Sequence, residues 1–261
     1  MSGHSKWSTI KHKKAANDAK KGKAFSKVSS QLTHAARQGG GDPNMNPTLR
    51  MYIDKAKEVG FPIENINKAI AKGSGENGDG ISFEEASYEG FGPHGIALIV
   101  DTLTDNKNRT VSELRKLFEE IGGSMGESGS VSWNFDTKGL VIIKAGHMQP
   151  SEKYGEEDIF VADDPEEVMM NIMDLDGVMD IEEIEFDGDP GLEIYTDYSK
   201  MASVRDAIAK LGYVLREASL IKEAKMDKTL TGDELEKAQS AIEKLEDYQD
   251  TQDVWTDLVL D

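Results

Sequence analysis

The sequence predicts an α+β multidomain chain: an N-terminal three-helix domain followed by two ferredoxin-like α/β domains, one inserted in the other. Three observations predict it. Apolar residues recur at three- and four-residue spacing through the first 72 positions, the period of a helix face. Beyond a glycine-rich break at residues 73–82, short apolar strands alternate with amphipathic helices, the order expected of mixed α and β layers. The charge changes sign at the same break. Residues 1–75 carry 14 Lys and Arg against 5 Asp and Glu, whereas residues 76–261 carry 16 against 44.

In the first domain, Phe25, Val28, Leu32 and Ala36 fall on one helix face. Gly39-Gly-Gly-Asp-Pro43 ends that helix. Asn46 caps the next, and Pro47 takes its first position, where a missing N–H breaks no helical bond. Leu49, Ile53 and Ala56 form its face. Val59-Gly-Phe-Pro62 interrupts again, and Pro62 opens a third helix with Ile63, Ile66 and Ile70 inward. The domain is assigned residues 1–80, and its end, residues 73–82, reads as a flexible linker by composition.

After the linker, residues 96–100 read as a buried strand and residues 109–121 as an amphipathic helix. Residues 131–135 alternate as a strand. Strands are expected at residues 140–143, 181–186, 192–195 and 213–220, and helices at residues 166–175 and 200–211. Residues 137–220 therefore follow the β-α-β-β-α-β order of the split ferredoxin-like motif. A strand near Leu230, a helix over residues 234–248 and a last strand over residues 253–259 follow. Residues 83–136 and 221–261 together make a discontinuous α/β domain into which residues 137–220 are inserted. Three domains in linear order are the alternative.

Composition narrows the function. The 261 residues include no cysteine, which excludes disulfides and thiolate metal sites and fits a reducing compartment, so the expected location is the cytoplasm. No window approaches the roughly 20 apolar residues of a membrane span, so no membrane partner is expected. The lysine-rich start lacks the apolar stretch of a secretory signal. Gly73-Ser-Gly75-Glu-Asn-Gly78 and Gly90-Phe-Gly92-Pro-His-Gly95 match the dinucleotide glycine pattern, but neither follows a strand and opens a helix. Gly22-Lys23 lacks the rest of a phosphate loop. His4, His12, His34, His94 and His147 show no metal spacing, and Asp174-Leu-Asp176-Gly177 places its glycine too early for a calcium loop. No nucleophile and base can be paired. The expectation is a protein with no cofactor, no metal and no catalytic residues.

Two segments stand out as binding candidates. The first 27 residues hold eight lysines and one acid in a chain of net charge −19. Lysine neutralises phosphate and releases counterions, so such an arm points to nucleic acid. His4, Lys6, Trp7, Lys11, His12, Lys13, Lys14, Lys20, Lys21 and Lys23 are its candidate contacts. Trp7 adds a stacking surface worth about 1–3 kcal/mol per base on a single strand; its alternative is to pack back on the helical domain. A second candidate patch is Asn106, Asn108, Arg109 and Thr110, at the start of a helix, with Glu127 and Ser128 in a glycine-rich turn. An exposed helix start with an arginine suits phosphate, although capping and turn chemistry explain the same residues.

Gly3-His-Ser-Lys-Trp7, Ile10-Lys-His12, Lys14-Ala-Ala, Asp18-Ala-Lys20 and Gly22-Lys23 resemble the N-terminal motif of the YebC/PmpR family. Gly39-Gly-Gly-Asp-Pro43, Asn46-Pro47, Tyr88-Glu-Gly90, Gly92-Pro93, Leu103-Thr-Asp-Asn106, Asn108-Arg-Thr110 and Gly129-Ser-Val131 continue the resemblance to about Phe135. His94 and Trp133 depart from it mildly, and residues 146–163 look like an insertion. The resemblance implies three domains, the last inserted in the second, and no catalytic activity. It implies a DNA-binding transcriptional regulator, or a translation factor like the mitochondrial translational activator of cytochrome oxidase. Bacterial members are linked to ribosomes stalled on proline-rich sequences.

The charge split favours the second of these. A strongly acidic body is repelled by a long duplex, whereas a ribosome offers a pocket walled by both RNA and basic proteins. The first expectation is thus a ribosome-associated translation factor that binds ribosomal RNA through the arm, with ribosomal proteins as further partners. The alternative is a DNA-binding transcriptional regulator, and a third is an enzyme with a site near Asn106, Arg109 and Glu127.

Overall fold

The computed structural model describes residues 18–75, 83–151, 158–186 and 188–259, the side chains of residues 18–21 and 186 excepted. These residues divide into two units. One lies within Met1–Asp136 and Lys222–Asp261, the other within Thr137–Ile221.

The first unit opens with three helices: α1, Asp18–Gly39; α2, Pro47–Glu58; and α3, Ile63–Ser74. Val28, Leu32, Ala35, Leu49, Ala56, Phe61, Ile66 and Ala69 close their core. A buried leucine or isoleucine of this kind stabilises by about 1.5–3 kcal/mol. Asn46 is the N-cap of α2: its side-chain oxygen accepts from the Leu49 N–H at 3.0 Å, while its Nδ2 donates to the carbonyls of Ala35 and Gly40. One side chain thereby starts α2 and ties it to the end of α1. Ile63 departs from expectation. It is 68% exposed, because it is the first residue of α3, at the end of the face that the buried Ile66 continues. Gly73 and Ser74, read as linker, belong to α3. Gly73 is a packing residue: a Cβ there would stand 2.2 Å from the Thr33 carbonyl oxygen of α1. The helix ends at Gly75, in the left-handed region at φ 80°. The rest of the expected linker lies outside the described residues.

The α/β part of this unit is a four-stranded antiparallel sheet of β1, Glu84–Phe91; β2, Ala97–Thr104; β3, Ser124–Met125; and β9, Thr251–Thr256. Its order is β3-β1-β2-β9. Helices α4, Lys107–Glu120, and α7, Gly232–Glu246, bury Leu114, Phe118, Ala238, Ile242 and Leu245 against Leu98, Val100 and Val254. The sheet has the ferredoxin-like order with one permutation: the strand that would come third, β1, comes first in the chain. Sequence periodicity misses β1, whose residues Glu-Glu-Ala-Ser-Tyr-Glu-Gly-Phe do not alternate. Residues 132–134, expected in a strand, form a short 3-10 turn before the strand that starts at Phe135. Near Leu230 there is no strand, only an isolated bridge between Lys228 and Leu258.

The second unit is built on β4, Phe135–Gln149; α5, Pro165–Ile172; β6, Val178–Phe186; β7, Asp189–Asp197; α6, Met201–Leu211; and β8, Tyr213–Ala224. β4 lies between β8 and β7, with β6 beyond β7, the ferredoxin-like arrangement. Val141, Ile143, Val168, Ile172, Ile194, Val204 and Ile208 form its core. Part of the apparent insertion at residues 146–163 extends this sheet: β4 runs on to Gln149 and pairs with β5, Ile159–Ala162.

Candidate nucleic-acid interface

Of the arm residues, His4, Lys6, Trp7, Lys11, His12, Lys13 and Lys14 lie outside the described residues. Lys20 and Lys21 fall in the first turn of α1, which carries the arm's end into the helical domain. Lys23, one turn on, is exposed and stands 3.0 Å from Asp247, just beyond α7. The helical domain meets the central sheet through further polar pairs. Gln31 donates to Gln252 at 2.9 Å, and His34 sits 3.3 Å from Glu85, where it holds that carboxyl below its ordinary value.

The second candidate patch separates into two sites. Asn106 is the N-cap of α4 and accepts from the Arg109 N–H at 3.1 Å. Arg109 points to Asp250, with its NH2 group 3.0 and 2.9 Å from the two carboxylate oxygens and 3.1 Å from Asp105. Thr110 and Thr104 donate to the same Asp250 oxygen at 2.8 and 3.1 Å, and Tyr248 joins at 3.2 Å. Burial pushes the Asp250 carboxyl upward, but Arg109 and the two threonine hydroxyls outweigh it and hold the group below its ordinary value. Tyr248 is pushed well above the usual phenol range by burial and by its bond to Glu113. Arg109 and Thr110 are thus the ends of a polar knot that ties α4 to the segment before β9. Asn108 is exposed at the start of α4.

Glu127 and Ser128 are exposed in the turn after β3. That turn is anchored by Glu89, whose carboxylate accepts from the N–H groups of Gly129, Val131 and Ser132 at 2.9, 2.8 and 2.9 Å. Burial raises the Glu89 carboxyl, yet the three amides prevail and lower it. The register of β1 keeps the two sites apart. Glu84 is opposite Thr104, whereas Glu89 is opposite Ile99. Five strand residues span about 16 Å. Asn106, Arg109 and Thr110 therefore come together with Asp250, and Glu127 and Ser128 do not join them.

Sequence reasoning missed Asp250 and Glu89 because their partners lie 141 and about 40 positions away in the chain. It also missed Asn65, Lys68 and Lys72 on α3, whose helical spacing was a signal. Among the described residues, no group of three His, Asp or Glu is placed to hold a metal ion, and no helix is long and apolar enough to cross a membrane.

Comparison with known proteins places this geometry in a family. Residues 5–76 match the model of the TACO1/YebC protein N-terminal domain, and residues 83–258 match that of the TACO1/YebC second and third domain. A "probable transcriptional regulatory protein" of Thermoanaerobacter pseudethanolicus is 44% identical over 257 residues, 98% of this chain and 96% of that protein. One of Dictyoglomus turgidum with the same description is 42% identical over 252 residues, 97% of this chain and 93% of that protein. The crystal structure of a conserved hypothetical protein of Aquifex aeolicus superposes with TM-score 0.71 at 35% identity, covering 96% of this chain and 95% of that one.

Proposed function

We propose that this chain, which belongs to the TACO1/YebC family of gene-expression regulators, is a ribosome-associated translation factor that binds RNA through its basic N-terminal arm. The observation that carries the proposal is the separation of charge. Eight lysines lie in the first 27 residues, while the residues beyond 75 hold 44 acids against 16 bases. In this reading Lys6, Lys11, Lys13, Lys14, Lys20, Lys21 and Lys23 contact phosphates, and Trp7 stacks on a base, with His4 and His12 beside them. The acidic α/β domains stand off the RNA or face basic ribosomal proteins. The protein works in the cytoplasm, and no catalytic step is assigned to it.

The second reading is a transcriptional regulator that binds DNA with the same arm, favoured by the description its bacterial relatives carry. The two part on a simple experiment. Ribosomes are sedimented from cells at low salt, with the wild-type protein and with Lys11, Lys13 and Lys14 changed to Glu. Co-migration of the wild type and its loss in the variant support the translation factor. Absence of the wild type from ribosomes, with tight binding to a defined promoter fragment, overturns it in favour of the DNA reading.

A further inference from the structure

A groove of about 630 Å³ is lined by residues of α1 and α3 together with Arg109 and Asp250. That volume lies within the roughly 300–1,000 Å³ of small-ligand sites. Its walls are laid down by helix period. From α1 come Gly22, Ser26 and Ser29, and from α3 come Asn65, Lys68 and Lys72, each set at three- and four-residue steps. With Phe25, the α1 side offers hydroxyls and one ring, and the α3 side is cationic. Neither Lys68 nor Lys72 has a carboxylate within ion-pair distance among the described residues. The Lys72 Nζ instead lies 5.8 Å from the centre of the ring of Phe83, which also lines the groove.

Two kinds of charge line the groove. Arg109 faces both Asp105 and Asp250, so its own charge is already taken up. Lys68 and Lys72 supply two positive charges that no described carboxylate takes up. An anion therefore belongs on the two lysines, and the partly buried Phe83 beside Lys72 offers a face to an aromatic ring. Phosphate next to a planar ring is the chemistry of a nucleotide. Gly22, which lines the groove, directly follows Lys20 and Lys21 in α1, so the groove begins in the chain where the arm's lysines stand.

We propose that this groove is a second subsite for single-stranded RNA, holding one nucleotide with its phosphate on Lys68 and Lys72 and its base on Phe83. The proposal rests on the RNA-binding reading above and extends the contact surface from the arm into the helical domain. A duplex is too wide and its bases too enclosed to use the groove, so the groove adds affinity for single strands alone.

The test uses the full-length chain and fluorescence anisotropy with a labelled 12-nucleotide single-stranded RNA and an RNA duplex of the same length, across a salt series. Lys68→Glu with Lys72→Glu should weaken single-strand binding about tenfold and flatten the slope of log affinity on log salt by about 0.7, the value for one lost phosphate contact. Phe83→Ala should weaken it about tenfold, the loss of one stacked base, with little change of slope. Both should leave duplex binding unchanged. The Gln pair at positions 68 and 72 provides the same reading if the Glu pair disturbs folding, as checked by circular dichroism. Arg50→Glu with Lys57→Glu, on α2 outside the groove, controls for the general field. Wild-type binding that these groove variants do not change, or that the α2 variant reduces equally, overturns the groove and leaves the arm standing. A wild-type chain that binds neither RNA overturns both proposals.

Discussion

The cations of the helical region and those of the α/β regions keep different company. In the α/β regions many described basic side chains meet a carboxylate. Arg109 meets Asp250, Lys222 meets Asp101, Lys144 meets Asp189 at 2.6 Å, Lys200 meets Asp176 at 2.9 Å and Lys225 meets Asp136 at 3.1 Å. In the helical region Lys68 and Lys72 have none among the described residues, while Lys23 meets the exposed Asp247 and Lys57 meets Asp54. The difference teaches that formal charge and available charge are separate quantities. Where acids outnumber bases almost threefold, many lysines and arginines are captured by their own fold. A cation offered to a partner has to come from the stretch where bases are in excess.

The comparison is broken most directly by moving the same charge change between the two regions. Changing Lys11, Lys13 and Lys14 to Glu should lower RNA affinity at least a hundredfold at moderate salt, about 2.7 kcal/mol. Changing Lys200 and Lys210 of the second unit to Glu should alter it less than twofold, since Lys200 is already neutralised by Asp176. Equal losses in filter binding would show that only net charge matters and would dissolve the distinction.

The next effect concerns stability. Asp250 is 7% exposed and accepts from Arg109, Thr104, Thr110 and Tyr248. Asp250→Ala leaves a guanidinium and two hydroxyls without their acceptor and should cost about 2–3 kcal/mol in urea unfolding. The acid limb carries the sign. The folded Asp250 carboxyl lies below its ordinary value, so its contribution is complete above the unfolded pKa of about 3.9 and is lost as pH falls through the folded value. In Asp250→Asn the stability curve should be flatter below about pH 4 than in the wild type. An unchanged acid limb would mean that Arg109 is not held by that charge and is available after all.

Arg109 also shows where sequence was informative and where it was not. The core helices were legible because Val28, Leu32, Leu114 and Phe118 repeat at the helix period, a local property. The cap at Asn46 was legible for the same reason, since Pro47 and Leu49 follow at once. The fate of Arg109 was not, because Asp250 lies 141 residues on and comes beside it only when β9 pairs with β2. Strand β1 escaped because it is covered unevenly: Glu89 and Gly90 are buried while Glu84 and Glu85 are exposed, so no alternation reaches the sequence. Ile63 read as core because periodicity shows which residues share a face and is weakest at a helix's first turn.

Glu89 gives a smaller and sharper contrast within the α/β region. Glu89→Ala removes the acceptor of three backbone amides and should destabilise by about 1.5–3 kcal/mol, toward the lower end because water can reach the turn. Glu127→Ala and Ser128→Ala, exposed in the same turn, should each change stability by less than about 0.5 kcal/mol. If thermal melts put Glu127 or Ser128 level with Glu89, the turn is held by contacts other than this carboxylate.

The smallest effect tests the boundary between captured and available charge. Lys23 and Asp247 form an exposed pair at 3.0 Å, each side chain more than half accessible. Such pairs contribute little to stability, so Lys23→Ala and Asp247→Asn should both leave the unfolding midpoint nearly unchanged. Their effects on RNA should be opposite. Lys23→Ala removes one phosphate contact and should weaken binding a few-fold, while Asp247→Asn releases Lys23 from this carboxylate and should tighten binding by about twofold. The gain should shrink as salt rises, because screening already frees an exposed pair at high ionic strength. If Asp247→Asn weakens binding instead, Asp247 orients Lys23 toward the phosphate and does not compete with it.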